Sequence, residues 1–267
     1  MVYETLNNGL MIPLLGFGTY GVTNTHTLMM AIDCGYRLFD TAQMYGNQSQ
    51  VGAAIRDAMR VYGLKREEFF VTTKLSSNMS GAYTMKSIES TLKILNLDYI
   101  DLLLLHEPYA QSKAMYNAME SAYKQGKLKA IGVSNFIPSV FSEFVKTCEI
   151  PPAINQCEVH IYYQQPHLLQ AMKAYGTLVQ SWSPFIAGKS ELFANPSLIR
   201  IAHTYHKSVA QVALRFLVQQ GIIAIPKACN LKYMQENLEI FDFALSVEDM
   251  QTLRALDTNT TQFSWGY

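Results

Sequence analysis

Four residues whose types suit proton transfer follow one another along the first 106 positions of the chain. Asp40 and Tyr45 share one segment, Lys74 ends the next apolar run, and His106 ends the run after that. A free tyrosine has a pKa of about 10, and a neighbouring ammonium stabilises the tyrosinate and lowers that pKa. A carboxylate beside the lysine keeps the ammonium charged and fixed. Together these four residue types predict an active site in which a side chain protonates an oxygen atom while hydride is transferred to the carbon bonded to that oxygen.

Each of these residues also has a plainer interpretation when it is taken singly. A lone Asp–Lys pair is usually structural, a histidine at the end of a strand is often a satisfied core residue, and most tyrosines pack. Titratable groups that cluster in one cleft are typical of active sites. The four together therefore favour the functional interpretation.

The elements that position these residues are short apolar runs, which alternate with segments of helical periodicity. Most runs are apolar throughout, as expected of parallel strands buried on both faces. The predicted strands are residues 14–18, 36–39, 69–73, 100–105, 128–133, 153–155, 177–180 and 221–225. Helical spacing of apolar residues predicts helices at 48–62, 83–95, 112–125 and 209–220.

Eight strand–helix repeats favour a closed α/β barrel over an open sheet. One eighth of the 267 residues is about 33, close to the length of one strand-plus-helix unit. We predict that residues 1–267 form a single domain, an eight-stranded parallel (β/α)8 TIM barrel. The turn Asn7-Asn8-Gly9 predicts an N-terminal hairpin before it, and extra helices are expected near 195–205 and after Asn230, with one starting at Ser246.

In such a barrel the active site is built at the carboxyl ends of the strands. A polar residue follows nearly every predicted strand. These residues are Asp40, Lys74, His106, Ser134 with Asn135, Gln156, Ser183 and Lys227. Their convergence on one rim predicts a pocket.

The first loop offers a competing interpretation. Residues 16–21 (GFGTYG) match the dinucleotide fingerprint of an open sheet, with Asp40 19 residues after Gly21 in the place of the ribose-binding acid. Residues 22–25 delay the next helix, however, whereas the fingerprint has its third glycine inside the helix, and eight units exceed the usual six strands. A glycine-rich turn that lets the backbone approach a ligand is the favoured interpretation.

Charge and composition exclude several classes of partner. The 21 basic and 21 acidic side chains balance, so a stripe basic enough for nucleic acid or a membrane surface is not expected. The four cysteines are widely spaced, which fits a reducing compartment. The amino terminus has no signal-peptide pattern. We expect a cytoplasmic monomer whose partner is a small molecule.

Several segments, in order along the chain, resemble the aldo-keto reductases, and the resemblance covers nearly all of it. They are residues 16–20 (GFGTY), 40–47 (DTAQMYGN), 102–106 (LLLLH) with Pro108, 131–136 (IGVSNF), 155–156 (NQ), 183–184 (SP), and 225–227 (IPK) followed by 236–237 (EN). The resemblance implies reduction of aldehydes or ketones to alcohols, with a nicotinamide dinucleotide across the barrel mouth and no metal. A cofactor-binding protein without turnover, regulatory or structural, is the alternative.

The resemblance also implies roles for individual residues. Tyr45 would be the proton donor, tuned by Lys74 and Asp40, and His106 would orient the carbonyl. The implied cofactor contacts are Gly18, Thr19, Tyr20, Asp40, Ser134, Asn135, Gln156, Trp182, Ser183, Phe185, Lys227, Glu236 and Asn237. The implied substrate pocket contains Tyr20, His106 and Glu107.

Three positions depart from the family pattern. Ala228 and Tyr233 stand where members that prefer NADPH usually have serine and arginine, so the planar fork of an arginine for the 2′-phosphate is missing. Lys227 keeps one cationic contact to a 2′-phosphate, and Lys232 is an alternative substitute for the arginine. We expect NADP(H) as cofactor with a weaker preference than usual, which leaves room for NAD(H). Glu107 stands where a tryptophan is frequent; facing the pocket it would repel anionic substrates, and otherwise it is a solvated loop residue.

The sequence allows two interpretations for each of three further features. Glu158 and His160 either line the rim or satisfy the loop backbone. The aromatic tail at 262–267 either reaches the pocket or packs against the barrel. For His203 and His206, an exposed polar helix face is favoured over a metal site.

Overall fold

The chain opens with the predicted hairpin. The computed structural model describes residues 2–264, and in it β1 (Tyr3–Thr5) pairs antiparallel with β2 (Met11–Pro13). Gly9 takes a positive φ of 85° in the connecting turn, a conformation that glycine adopts without steric cost. The side-chain amide of Asn8 donates to the Lys129 carbonyl at 2.8 Å, which joins the hairpin to the strands that follow.

Eight parallel strands then form one sheet in which the strand order equals the chain order. They are β3 (Phe17–Gly18), β4 (Leu38–Asp40), β5 (Phe70–Leu75), β6 (Ile100–Leu105), β7 (Leu128–Ser134), β8 (Ile154–Glu158), β9 (Leu178–Trp182) and β10 (Ile223–Ala224). Leu15 pairs in parallel with Ala224, and the Gly16 N–H donates to the Ala224 carbonyl at 2.8 Å. The curled sheet thus brings its first and last strands together, as a (β/α)8 fold requires.

Eleven α-helices occur in residues 2–264. They are α1 (Thr25–Cys34), α2 (Gln48–Tyr62), α3 (Gly81–Leu95), α4 (Ser112–Lys124), α5 (Pro138–Val145), α6 (Pro166–Lys173), α7 (Ser190–Phe193), α8 (Pro196–Tyr205), α9 (Val209–Val218), α10 (Leu231–Leu238) and α11 (Val247–Arg254). The predicted extra helices near 195–205 and after Asn230 are therefore present. None of the helices among these residues has both the length and the apolarity of a membrane span.

Polar caps set where the helices begin. Asn24, Ser80, Asn195 and Ser246 each accept a backbone N–H of the first turn of the helix that follows. Helix α1 therefore starts only at Thr25, four residues after Gly21. The glycine-rich segment is a turn, and the sequential strand order excludes the open dinucleotide-binding sheet.

The strands are buried on both faces, as their unbroken apolar runs predict. All six residues of β5 and all six of β6 are buried. Several predicted strand ends were wrong by one to three residues, because β4, β5, β7 and β8 continue through Asp40, Lys74, Ser134 and Gln156. These polar side chains have partners inside the barrel, so they do not end the strands.

Candidate active site

Lys74 is the centre of the polar cluster at the carboxyl ends of the strands. Its side chain is 0% exposed, and its ammonium donates to Asp40 Oδ1 at 2.5 Å, to the Thr41 carbonyl at 3.2 Å and to Tyr45 Oη at 3.3 Å. These three bonds use all the hydrogens of the ammonium. The predicted Asp40–Lys74–Tyr45 connection is present.

The protonation states of this trio follow from burial and from the charges within it. Burial lowers the pKa of Lys74, but Asp40 and Tyr45 outweigh it and raise the pKa above its ordinary value, so the ammonium stays charged. For Tyr45 burial is the largest cause, and it raises the pKa although Lys74 lowers it. The expectation that Lys74 draws the Tyr45 pKa downward is therefore wrong in net direction, because desolvation of the tyrosinate dominates. Tyr45 is a protonated phenol at neutral pH.

Tyr45 is held by a short loop whose anchor is Asn47. The 3₁₀ helix Gln43–Tyr45 joins β4 to α2. Asn47 is buried; its amide donates to the carbonyls of Thr19 (2.7 Å) and Val22 (2.9 Å), and its oxygen accepts from the Thr41 hydroxyl (2.7 Å). Asn47 thus fixes the Tyr45 loop to the glycine-rich loop, a role that its sequence motif alone does not reveal.

His106 follows β6 and faces Tyr45. The two ring centroids are 6.0 Å apart in an edge-on arrangement. His106 Nδ1 lies 3.0 Å from Ser76 Oγ, and the Asn135 amide donates to the His106 carbonyl at 3.1 Å. Burial, with the Lys74 charge, lowers the pKa of His106 to about 3, so the imidazole is neutral at pH 7.

Ser134 and Gln156 extend the cluster along the interior of the barrel. The Gln156 amide donates to Asp40 Oδ2 and to Gln180 Oε1, both at 2.7 Å. The Ser134 hydroxyl donates to the Gln156 carbonyl at 2.8 Å. Because both amide hydrogens of Gln156 are used inside the barrel, its side-chain oxygen is the part suited to a ligand.

Trp182 ends β9 beside Asn135. Its indole N–H donates to Asn135 Oδ1 at 2.8 Å. Asn135 itself has a left-handed backbone, with φ of 63°. On its other side Trp182 packs against Phe263, with ring centroids 5.1 Å apart. The tail thus reaches this rim, while its last aromatic residues, at 265–267, lie outside the described residues.

The segment after Trp182 has an unusual backbone. Ser183, Ile186 and Ala187 have positive φ values of 49°, 54° and 53°, and Gly188 follows at 81°. This conformation is costly for a β-branched residue. Ile186 is fully buried, so its packing offsets the strain. Phe185 is half-buried beside it.

Two residues of the glycine-rich loop serve the fold itself. A Cβ on Gly18 would lie 2.7 Å from the Ile225 carbonyl, so only glycine fits where the first and last strands meet. Thr19 is fully buried, and its hydroxyl donates to the Asp40 carbonyl at 2.9 Å. The Thr19 side chain thus joins the glycine-rich loop to the end of β4, and its cofactor contact stays a prediction.

Lys227 lies against the same loop. Its side chain is exposed, and a Cβ on Gly21 would be 3.6 Å from its Nζ. Glu236 is half-buried on α10, and Asn237 is buried there. Of these three predicted contacts, Lys227 is the most open to a ligand.

Two of the three departures from the family pattern lie close to Lys227 in the sequence. Ala228 is buried, whereas Tyr233 on α10 is 57% exposed. The place of the usual arginine is therefore an open surface position that carries no charge.

The expected substrate residues differ in exposure. Tyr20 is 67% exposed, and its ring meets that of Tyr45 edge-on at 5.1 Å. Glu107 is half-buried. Burial and the Glu107 charge raise the pKa of Tyr109 to about 12, which places the carboxylate near Tyr109 in the His106 loop.

Glu158 anchors the tail, a role that sequence reasoning left open. Its carboxylate accepts from the Thr261 hydroxyl at 2.5 Å and from the Gln262 N–H at 2.9 Å. His160 Nε2 lies 2.9 Å from the same carboxylate. These bonds hold Phe263 at the rim. The only sequence signal was the position of Glu158 at the end of a strand.

The histidine pair on α8 does not form part of the site. His203 and His206 are both exposed, and His206 ends the helix in a left-handed conformation. Within residues 2–264 no group of three or more His, Cys, Asp or Glu side chains is placed to hold a metal ion.

Comparison with known proteins agrees with this fold. A sequence model of the Aldo/keto reductase family matches residues 15–258. Glyoxal reductase of Bacillus subtilis is 40% identical over 258 residues, covering 94% of this chain and 91% of the relative. An aldo-keto reductase from a deep-sea metagenome has a TM-score of 0.94 at 34% identity, covering 98% of both chains. A Bombyx mori aldo-keto reductase in complex with NADP has a TM-score of 0.92 at 32% identity, covering 99% of this chain and 95% of that one.

The fold, the cluster and these relatives define an oxidoreductase that acts on carbonyl groups. The chain belongs to the aldo/keto reductase family.

Proposed function

We propose that this enzyme reduces aldehydes or ketones to alcohols with Tyr45 as the proton donor. The observation that carries the proposal is the bonding of Lys74. Its ammonium donates to Tyr45 Oη at 3.3 Å, so the phenol accepts that bond and keeps its own hydrogen for a substrate oxygen. The high pKa of Tyr45 keeps that hydrogen in place at neutral pH.

Four residues of the chain each have a separate role in the proposed proton transfer. Tyr45 gives its proton to the substrate oxygen as negative charge develops there. The ammonium of Lys74 stabilises the resulting tyrosinate, and Asp40 keeps that ammonium charged. Neutral His106 orients the substrate oxygen by hydrogen bonding. In the direction of alcohol oxidation the same groups work in reverse.

The cofactor that we propose is NADP(H), which when bound supplies or accepts the hydride. The residues fit a nicotinamide dinucleotide. Gln156 presents an acceptor oxygen suited to a carboxamide, and Ser134 and Asn135 lie beside it. Trp182 presents a half-buried aromatic face. The remaining proposed contacts along its length are Gly18, Thr19, Tyr20, Asp40, Ser183, Phe185, Lys227, Glu236 and Asn237. The NADP complex of the Bombyx mori relative supports the choice.

We propose that the preference for NADPH over NADH is weaker than the family pattern implies. Lys227 supplies one exposed cation for a 2′-phosphate. At Tyr233 the chain has a neutral ring instead of the bidentate fork of an arginine. One cationic contact to the 2′-phosphate favours NADPH over NADH less strongly than two such contacts would.

The substrate is a small carbonyl compound held among Tyr20, His106 and Glu107. The carboxylate of Glu107 beside this loop disfavours anionic substrates. Glyoxal is the substrate named for the Bacillus subtilis relative, and a small neutral aldehyde of that kind suits this account.

We further propose that residues 1–267 act as one domain and as a cytoplasmic monomer. The balanced charge of 21 basic and 21 acidic residues gives no electrostatic basis for a nucleic-acid or membrane partner.

The experiment that tests the function is a substrate panel. Small aldehydes, ketones and sugars are assayed with NADPH and with NADH, and oxidation of the cofactor is followed. We expect turnover of at least one neutral aldehyde, and its loss in Tyr45→Phe. A protein that binds cofactor yet turns over no member of the panel would be a binding protein instead.

A further inference from the structure

Ser76 lies where the loops of the two proton-handling groups meet. It directly follows β5, two residues after Lys74. Its Oγ lies 3.0 Å from His106 Nδ1 and accepts the Met44 backbone N–H at 3.2 Å. Met44 is the residue before Tyr45, so one hydroxyl contacts the imidazole and the backbone next to the phenol.

The position of Ser76 is itself fixed from a second side. Its backbone N–H donates to Gln43 Oε1 at 3.2 Å. The amide of Gln43 donates to Ser87 Oγ at 2.7 Å and to Thr91 Oγ1 at 3.0 Å, both on α3. Gln43 begins the 3₁₀ helix that ends in Tyr45. The network therefore ties helix α3, the Tyr45 loop and the His106 ring together through Ser76.

The distances favour Ser76 as the donor in its bond to His106. A serine hydroxyl has one hydrogen to give, and two acceptors lie within reach of it. His106 Nδ1 is at 3.0 Å and the Lys74 carbonyl at 3.5 Å, so the shorter and stronger contact is the one to the imidazole. A neutral imidazole that accepts at Nδ1 carries its proton on Nε2.

We propose that Ser76 is a positioning residue. It fixes His106 in the tautomer with the proton on Nε2, and it holds the imidazole ring in a fixed position relative to the Tyr45 loop. The proposal rests on the proposed function, in which His106 donates a hydrogen bond to the substrate oxygen. The tautomer matters because His106 is neutral at working pH. With the proton on Nδ1 instead, Nε2 would be an acceptor and would repel the carbonyl oxygen.

The direct test is the tautomer of His106, read from nitrogen NMR of the imidazole in the free protein. We expect a single Nε2–H tautomer in the wild type, and a mixture or exchange broadening in Ser76→Ala. Wild-type signals of an Nδ1–H tautomer would overturn the proposal, as would identical ring signals in the wild type and Ser76→Ala. The wild-type spectrum alone keeps the proposal falsifiable if the variant fails to fold.

Kinetics give the second readout. The loss of one hydrogen bond that orients a neutral group predicts about a tenfold fall in kcat for Ser76→Ala, with the dissociation constant of NADPH unchanged. Ser76→Thr retains the hydroxyl and is expected to recover most of that loss. Ser77→Ala changes an exposed neighbouring serine and is the matched control, with kcat unchanged. An unchanged kcat in Ser76→Ala contradicts the proposal.

The experiments distinguish a failure of the proposed function from a failure of the role of Ser76. If Tyr45→Phe retains full turnover, the proposed function fails, while the His106 spectrum still decides the tautomer. If Tyr45→Phe loses turnover but the spectrum is insensitive to Ser76, only the role of Ser76 fails.

Discussion

The ammonium of Lys74 and the carboxylate of Asp40 form a buried ion pair, with Nζ 2.5 Å from Oδ1 and the two side chains 0% and 2% exposed. Removing two charges from water is costly, and the pair offsets that cost only because each partner is fully hydrogen-bonded. Lys74 uses its other hydrogens on Thr41 and Tyr45, and Asp40 also accepts from Gln156. The same ion pair that stabilises the fold therefore also holds the ammonium against Tyr45.

Breaking this pair from one side is expected to destabilise the fold strongly. Lys74→Met and Asp40→Asn should each lower the free energy of unfolding by about 3–5 kcal/mol, because the remaining partner is left buried and unpaired. The double variant should lose clearly less than the sum of the two. Urea denaturation of all four proteins measures this.

A surface pair provides the control. Lys124 and Glu149 are 2.6 Å apart, but their side chains are 52% and 67% exposed. Lys124→Met should cost less than about 1 kcal/mol. Strictly additive losses at Asp40 and Lys74 would contradict the coupling.

His106 should make the stability depend on pH. Its pKa is about 3 in the folded protein, against about 6.5 in an unfolded chain. Between these values the unfolded chain binds a proton that the folded protein does not, so stability falls as the pH falls below about 6.5. Above that value the residue has no effect.

His106→Gln should therefore flatten the dependence. Its free energy of unfolding should lose less between pH 7.5 and pH 5 than that of the wild type, by at most about 1.4 kcal/mol per pH unit below 6.5. Urea midpoints and slopes at the two pH values give the comparison. Parallel losses in both proteins would mean that His106 is charged in the folded state.

Glu107 should influence the charge of preferred substrates. Glu107→Gln should raise kcat/KM for a carboxylated aldehyde relative to a neutral aldehyde of similar size, since it removes a like charge near the His106 loop. Glu248→Gln makes the same change on α11 and should leave the ratio unchanged. An unaltered ratio in Glu107→Gln would make this residue a solvated loop glutamate.

Tyr233 should weaken discrimination between the two cofactors. We expect the ratio of kcat/KM with NADPH to that with NADH to stay below about a hundredfold in the wild type, because the arginine fork is missing. Tyr233→Arg should raise the ratio about tenfold through a charge-assisted contact to the 2′-phosphate. A wild-type preference for NADPH beyond about a hundredfold would contradict this interpretation.

The fold could be predicted wherever apolar periodicity and turn residues determine it. Helix α2 has the predicted bounds, and α1 starts at Thr25, at the end of the delay that residues 22–25 indicate. The strand ends were less accurate, because Asp40 and Gln156 are polar residues that nevertheless belong to buried strands. Their partners come from other strands, and a pattern of single residues does not contain that pairing.

The candidate site, like the fold, could be predicted from the sequence only in part. The gathering of Asp40, Tyr45, Lys74 and His106 followed from their places at strand ends. The net rise of the Tyr45 pKa did not, because it depends on how much burial outweighs the lysine charge. The bond between Ser76 and His106 and the bonds from Thr261 and Gln262 to Glu158 also depend on loop conformation, which sequence spacing does not determine.

Substitution of Tyr45 by phenylalanine tests the central claim most directly. The variant keeps the ring and removes only the hydroxyl, which accepts from Lys74 and, in the proposed function, donates to the substrate. Cofactor affinity, measured by titration of NADPH, should stay within a few-fold of the wild type, while kcat for a neutral aldehyde falls by about 10²- to 10⁴-fold. Retention of wild-type turnover in Tyr45→Phe would show that the proton comes from another group and would contradict the account.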